Sequence, residues 1–240
     1  MKTAPPETSA LARPQEPDRD CGLCPRLVEF RLAARAREPD WHNAPVPVFG
    51  DLSAGLLIVG LAPGLKGANR TGRPFTGDYA GDLLYATLLE FGFAAGVYAA
   101  QPGDGLRLVD CCIVNAVRCV PPQNKPTPAE IANCRPFLVR RIESMPQMQV
   151  ILALGRIAHE SVLRTFGAPL ASAPFRHGAA HRLDRKNAAP LTLFDSYHCS
   201  RYNTNTGVLT TDMFRTVFRD IQAHLASRER RGSDALAPIT

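Results

Sequence analysis

Four cysteines in this 240-residue chain are spaced as ligands of a metal centre. Cys21 and Cys24 form a two-residue-spaced pair whose sulfurs reach one point, and Cys119 and Cys134, with fourteen residues between them, bring in a distant stretch of chain. Four thiolates suit an iron–sulfur cluster or a structural zinc, and spacing alone does not separate the two. A redox role for the Cys21–Cys24 pair is disfavoured, because no strand precedes the motif to present it. Cys111 and Cys112 lie inside an apolar run and read as small buried side chains, and Cys199 has no base assigned to it.

A second constellation is polar. The run from Gly60 to Gly81 carries glycines at 60, 64, 67, 72, 77 and 81, which let backbone approach a ligand closely, and it ends in Asp78 at the start of a helical pattern. Asp78 suits a helix cap as well as a catalytic carboxylate. Gly64-Leu65-Lys66-Gly67 lacks the spacing and the Ser/Thr of a phosphate loop, which excludes nucleotide hydrolysis and a nucleotide cofactor. Further along, His198 closes an apolar run and is followed by a polar segment, Ser200 to Gly207. A histidine so placed suits chemistry better than core packing.

The elements that must hold these residues alternate. Leu56–Leu61, Leu108–Val117, Val150–Leu154 and Leu191–Tyr197 read as strands, while Gly81–Phe91, the capping box opening at Thr127, Arg156–Phe166 and Thr211–Ala226 read as helices. This alternation predicts an α/β fold with a mainly parallel sheet covered on both faces. In such sheets ligands bind beyond the carboxyl ends of the strands, where the loops holding Asp78, Cys119 and His198 begin.

Composition sets the frame. Hydrophobic residues at 45% and charged residues at 21% fit a globular chain, and residues 1–20 and 227–240 read as disordered tails around one domain over 21–226. The odd count of seven cysteines argues for reduced thiols, and the absence of a signal-like or membrane-length apolar run predicts a cytoplasmic protein without a membrane partner. Lys and Arg total 28 against 22 Asp and Glu, a net +6, and the stretch Arg135–Lys186 alone carries nine basic against three acidic residues. That stretch is a candidate phosphate-facing surface.

Taken together, Gly60-Leu61-Ala62-Pro63-Gly64, Asn69 to Asp78, Ala116-Val117-Arg118-Cys119, Pro121 to Pro126, Ala153 to Ala158 and Ser196-Tyr197-His198 resemble the family 5, or type b, uracil-DNA glycosylases. The resemblance spans about Cys21 to Ala226. It implies a three-layer αβα sandwich with a central four-stranded parallel sheet, and a [4Fe-4S] cluster on Cys21, Cys24, Cys119 and Cys134. It implies catalytic roles for Asp78 and His198 with a supporting role for Asn124. The base pocket would comprise Gly60, Ala62, Gly64, Phe75 and Asn115, with Phe75 stacking the base. Ser200, Arg201 and Tyr202 would enter the DNA.

The expected activity is monofunctional excision of uracil, and of other deaminated bases, by a monomer acting on DNA. Two readings compete: a non-catalytic iron–sulfur or zinc module that binds nucleic acid, and an iron–sulfur redox protein.

Overall fold

The computed structural model describes residues 16–185 and 188–234, the side chains of 228–234 excepted. Its strands are β1 (Phe49–Gly50), β2 (Leu56–Gly60), β3 (Ala94–Ala95), β4 (Arg107–Leu108), β5 (Cys111–Asn115), β6 (Val150–Leu154), β7 (Ala180–Arg185) and β8 (Ala188–Ser196). Its α-helices are α1 (Pro25–Arg37), α2 (Ala68–Thr71), α3 (Tyr79–Glu90), α4 (Pro128–Glu143), α5 (Arg156–Thr165), α6 (Arg201–Asn205) and α7 (Thr211–Asp234). The main sheet has the order β1-β5-β2-β6-β8-β7. Its four central strands are parallel, as expected, and the short β1 and the longer β7 add an antiparallel strand at each edge.

Period-two alternation divides each central strand between two cores. Leu56, Ile58, Ile113, Leu152 and Phe194 face one side with Leu84 and Leu88 of α3 and Phe214 and Phe218 of α7. Leu57, Val59, Val114, Ile151 and Leu193 face the other with Leu138 of α4 and Val162 of α5. The three layers follow from strands buried on both faces. Cys111 and Cys112 split between the two cores and are fully buried, as their apolar reading requires.

Parallel strands place four carboxyl ends along one edge of the sheet. Gly60 of β2 lies in register with Asn115 of β5, and Leu154 of β6 with Ser196 of β8. The end of β8 is anchored from below: buried Asp195 pairs with His159 at 2.6 Å and with His181 at 3.1 Å, and the other ring nitrogen of His159 bonds the Ala173 carbonyl at 2.8 Å.

The expected tails need correction at their inner ends. Residues 16–20 are anchored: Glu16 pairs with buried Arg118 and Arg141, and Asp20 pairs with Arg35. Helix α7 continues through 227–234, beyond the expected boundary at Ala226. Residues 1–15 and 235–240, where the rest of both tails was expected, lie outside the described residues. The basic stretch is also no uniform surface, since Arg141 is buried on Glu16 and Arg182 is matched by Asp184.

Candidate active site and sulfur cavity

A cavity of about 420 Å³, large enough for a small ligand, opens at the carboxyl edge of the sheet. Ala62, Gly64, Phe75, Asp78, Asn115, Asn124, His198, Ser200 and Arg201 all line it. Residues scattered over 140 positions of sequence thus converge on one space.

Asp78 serves two roles at once. It is the N-cap of α3, where Oδ1 accepts the Gly81 amide at 3.2 Å. Oδ2 turns toward Gly64 and Gly67, so close that a Cβ at Gly67 would fall 2.4 Å from it. The loop must carry glycine there for the carboxylate to take this place. Burial pushes the Asp78 carboxyl above its ordinary range, while the Gly81 amide and the charge of His198 pull it back.

His198 follows β8, and its carbonyl accepts the Asn203 side chain at 2.8 Å. Burial lowers its pKa below the ordinary value, opposed by the carboxylate of Asp78, so the neutral imidazole prevails at neutral pH. Its ring lies 6.1 Å from that of Phe75, centroid to centroid, with a tilt of 32°.

Phe75 has φ of 51°, a left-handed conformation that an aromatic residue adopts at a cost of about 1–3 kcal/mol. Gly60 makes room for it: a Cβ at Gly60 would meet the Phe75 ring at 2.6 Å and Asn115 Oδ1 at 2.4 Å. Asn115 is buried, and its Oδ1 has no hydrogen-bond partner among the described residues. A buried amide oxygen left unmatched beside an aromatic face is suited to read a ligand's polar edge.

Asn124 ends a 3₁₀ turn, Pro122–Asn124, in which Gln123 and Asn124 both have φ of 56°. It is an exposed residue at the cavity mouth. The expected loop at Ser200–Gly207 contains the short helix α6, capped by Ser200 Oγ on the Asn203 amide. Arg201 sits over the ring of Tyr79 at 5.3 Å, a cavity residue that the sequence reading did not single out although it directly follows Asp78. Tyr202 is not among the lining residues and is 74% exposed.

The four expected sulfur ligands line a second, separate cavity between α1 and α4. Leu27, Val117 and Phe137 form its apolar wall. Three hydrogen-bond donors face the sulfurs: Arg31 reaches Cys119 at 3.5 Å, the Arg118 amide reaches Cys134 at 3.3 Å, and Asn133 reaches Cys24 at 3.8 Å. Among the described residues only His159, His181 and Asp195 bring three ligand atoms within 4.8 Å of one another. Four thiols on one cavity, with donors facing three of them, are a donor set that fits a thiolate-bound metal group. All seven cysteines are free thiols.

Residues 47–222 match the family model of the uracil DNA glycosylase superfamily. The chain is 47% identical over 206 residues to a type-5 uracil-DNA glycosylase of Thermus thermophilus, covering 83% of this chain and 91% of that protein. It is 38% identical to the type-5 uracil-DNA glycosylase of Pyrobaculum aerophilum, over 83% of this chain and 87% of the relative. A type-4 uracil-DNA glycosylase of Archaeoglobus fulgidus is 33% identical over 62% of this chain and 69% of its own. The chain is therefore a member of the uracil DNA glycosylase superfamily, on its type-5 branch.

Proposed function

We propose that the protein hydrolyses the N-glycosidic bond of uracil, and of other deaminated bases, in DNA and leaves an abasic site. The observation that carries this reading is the convergence of Asp78, His198, Phe75 and Asn115 on one cavity. It is supported by relatives that are named uracil-DNA glycosylases.

The chemistry separates charge. As the C1′–N bond breaks, its electron pair leaves with the base and positive charge grows on the deoxyribose, as in other glycosidic cleavages. Asp78 Oδ2 orients a water toward C1′ and stabilises the sugar cation, while Oδ1 stays fixed by the Gly81 amide. Neutral His198 donates a hydrogen bond to O2 of the departing base, where negative charge develops. The water oxygen becomes the new hydroxyl on C1′ and its proton is released to Asp78 or solvent.

The base must leave the duplex to enter, at a cost of a few kcal/mol. Phe75 stacks it, Asn115 reads its edge, and Ala62 and Gly64 keep the wall low. Ser200, Arg201 and Tyr202 approach the strand, and the 74% exposed Tyr202 ring is the side chain best placed to fill the gap. Asn124 contributes a polar group at the mouth.

Cys21, Cys24, Cys119 and Cys134 hold a [4Fe-4S] cluster in this reading. Bound by these four cysteines, such a group would tie the N-terminal segment to the Cys119 loop and to α4. The buried guanidinium of Arg31, 3.5 Å from Cys119, would offset part of the thiolate charge. The enzyme works as a cytoplasmic monomer without a nucleotide cofactor; among the described residues no helix is long and apolar enough to cross a membrane. A purely binding module would not need a half-buried carboxylate and a half-buried neutral histidine lining the same cavity. Alkaline treatment of a uracil-containing oligonucleotide after incubation tests the reading: cleavage at the uracil position supports it, and an intact strand overturns it.

A further inference from the structure

Behind Phe75 lies a polar assembly whose own side chains are not among those lining the cavity. Arg73 Nε donates to Thr76 Oγ1 at 2.8 Å, which closes the turn Arg73-Pro74-Phe75-Thr76 around the strained residue. The same guanidinium forks onto Asp104 at 2.8 and 2.7 Å. Both side chains are buried, at 8% and 0% exposure. Asp104 also accepts the amides of Ala99 at 2.9 Å and Leu106 at 3.0 Å, so its carboxylate is fixed by the loop between β3 and β4.

Aromatic rings enclose the cation. The Arg73 guanidinium carbon lies 5.4, 5.5 and 5.7 Å from the ring centres of Phe49, Tyr85 and Tyr98. Tyr85 and Tyr98 stack at 4.6 Å and hold the turn as well, Tyr85 donating to the Pro74 carbonyl at 2.6 Å. A planar fork with charge-assisted bonds in two directions cannot be replaced by a lysine point charge.

We infer that Arg73 and Asp104 are positioning residues, a buried latch that holds Phe75 in its left-handed conformation so that its ring is set for the extruded base before DNA arrives. The inference rests on the uracil-excision reading for its functional consequence, though not for its structural one. The latch supplies preorganisation, because a turn already fixed need not be ordered when the base enters. The hairpin of β3 and β4, otherwise remote from the site, thereby acts on it through one carboxylate.

The test uses the full chain with Asp104→Asn and Arg73→Lys, each studied well below its unfolding temperature. Amide hydrogen exchange over residues 75–77 should accelerate about tenfold in both variants, while the central strands exchange as before. Uracil excision should fall about 10- to 100-fold in kcat/KM. In a Phe75→Ala background, Asp104→Asn should cost less than about twofold more, because the latch acts through the ring already removed. Unchanged exchange over residues 75–77, or losses that multiply in the double variant, would overturn the latch. Should the wild-type protein excise no uracil, the excision reading fails, and the exchange measurement still decides whether Arg73 and Asp104 fix the turn.

Discussion

The rings of Phe75 and His198 meet at 6.1 Å with a 32° tilt, although the two residues lie 123 positions apart in sequence. One ring comes from a strained turn after β2 and the other from the end of β8, and both face the same cavity. A planar base resting on Phe75 presents its rim to His198. In the proposed reading, Phe75 would supply the stacking surface and His198 the hydrogen-bond donor for the leaving base from neighbouring positions on one cavity.

Asp78→Asn separates chemistry from folding. Asparagine caps a helix as well as aspartate does, so the α3 terminus is retained while the negative charge is lost. Single-turnover excision should fall by about 10²- to 10⁴-fold. The folded pKa of Asp78 is raised, so its stabilising contribution is present below the ordinary value of 3.8 and lost as pH rises through the folded value. The buried charge therefore costs stability at neutral pH. The variant should melt at or above the wild-type temperature there, and a lower Tm would contradict the burial argument.

His198→Ala should reduce the excision rate by about 10²- to 10³-fold with a small change in DNA affinity. Its lowered pKa keeps the imidazole neutral from about neutral pH upward, so the wild-type rate should stay level to about pH 9. Decline should appear on the acid side, as Asp78 and His198 take up protons. A rate that follows an ordinary imidazole titration through neutral pH would place the histidine outside the buried site.

Asn115→Ala removes a buried amide that has an unmatched oxygen. Uracil excision should weaken by about 10- to 100-fold, the worth of one buried polar contact. A panel of uracil, hypoxanthine and xanthine substrates should show unequal losses, largest for the base whose edge the amide matches. Equal losses for every base would assign Asn115 to packing alone.

Cys119→Ser should lower bound iron and the visible absorbance of the native protein, and should reduce Tm by loosening the Cys119–Asn124 segment. Arg31→Met keeps all four sulfurs but removes the donor at 3.5 Å from Cys119. That variant should retain iron on purification and lose it faster to a chelator. Iron loss at the wild-type rate would deny Arg31 a part in the sulfur site.

Much of this site was legible before folding was considered. Strand ends, the capping position of Asp78 and the four-cysteine pattern are local signals, and the carboxyl-edge rule collects them on one side of the sheet. Edge strand β7 escaped because its sequence, Ala180 to Arg185, has no β-branched residue and is held by pairing with β8. Helix α1 escaped because its buried stripe, Leu27, Arg31 and Ala34, is interrupted by an arginine that faces sulfur. Arg73 and Asp104 are 31 positions apart and form their link only through tertiary structure. Such pairs leave no periodic trace.

Hydrolysis of the glycosidic bond by Asp78 and His198 is measured most directly as release of free uracil from a uracil-containing DNA duplex by iron-loaded wild-type protein, set against an Asp78→Asn/His198→Ala double variant that still binds the duplex. The wild type should yield free uracil and an abasic strand in equal amounts, and the double variant a rate reduced by at least about 10³-fold. Equal uracil release by both proteins, or none from the wild type, would contradict hydrolysis by these two residues.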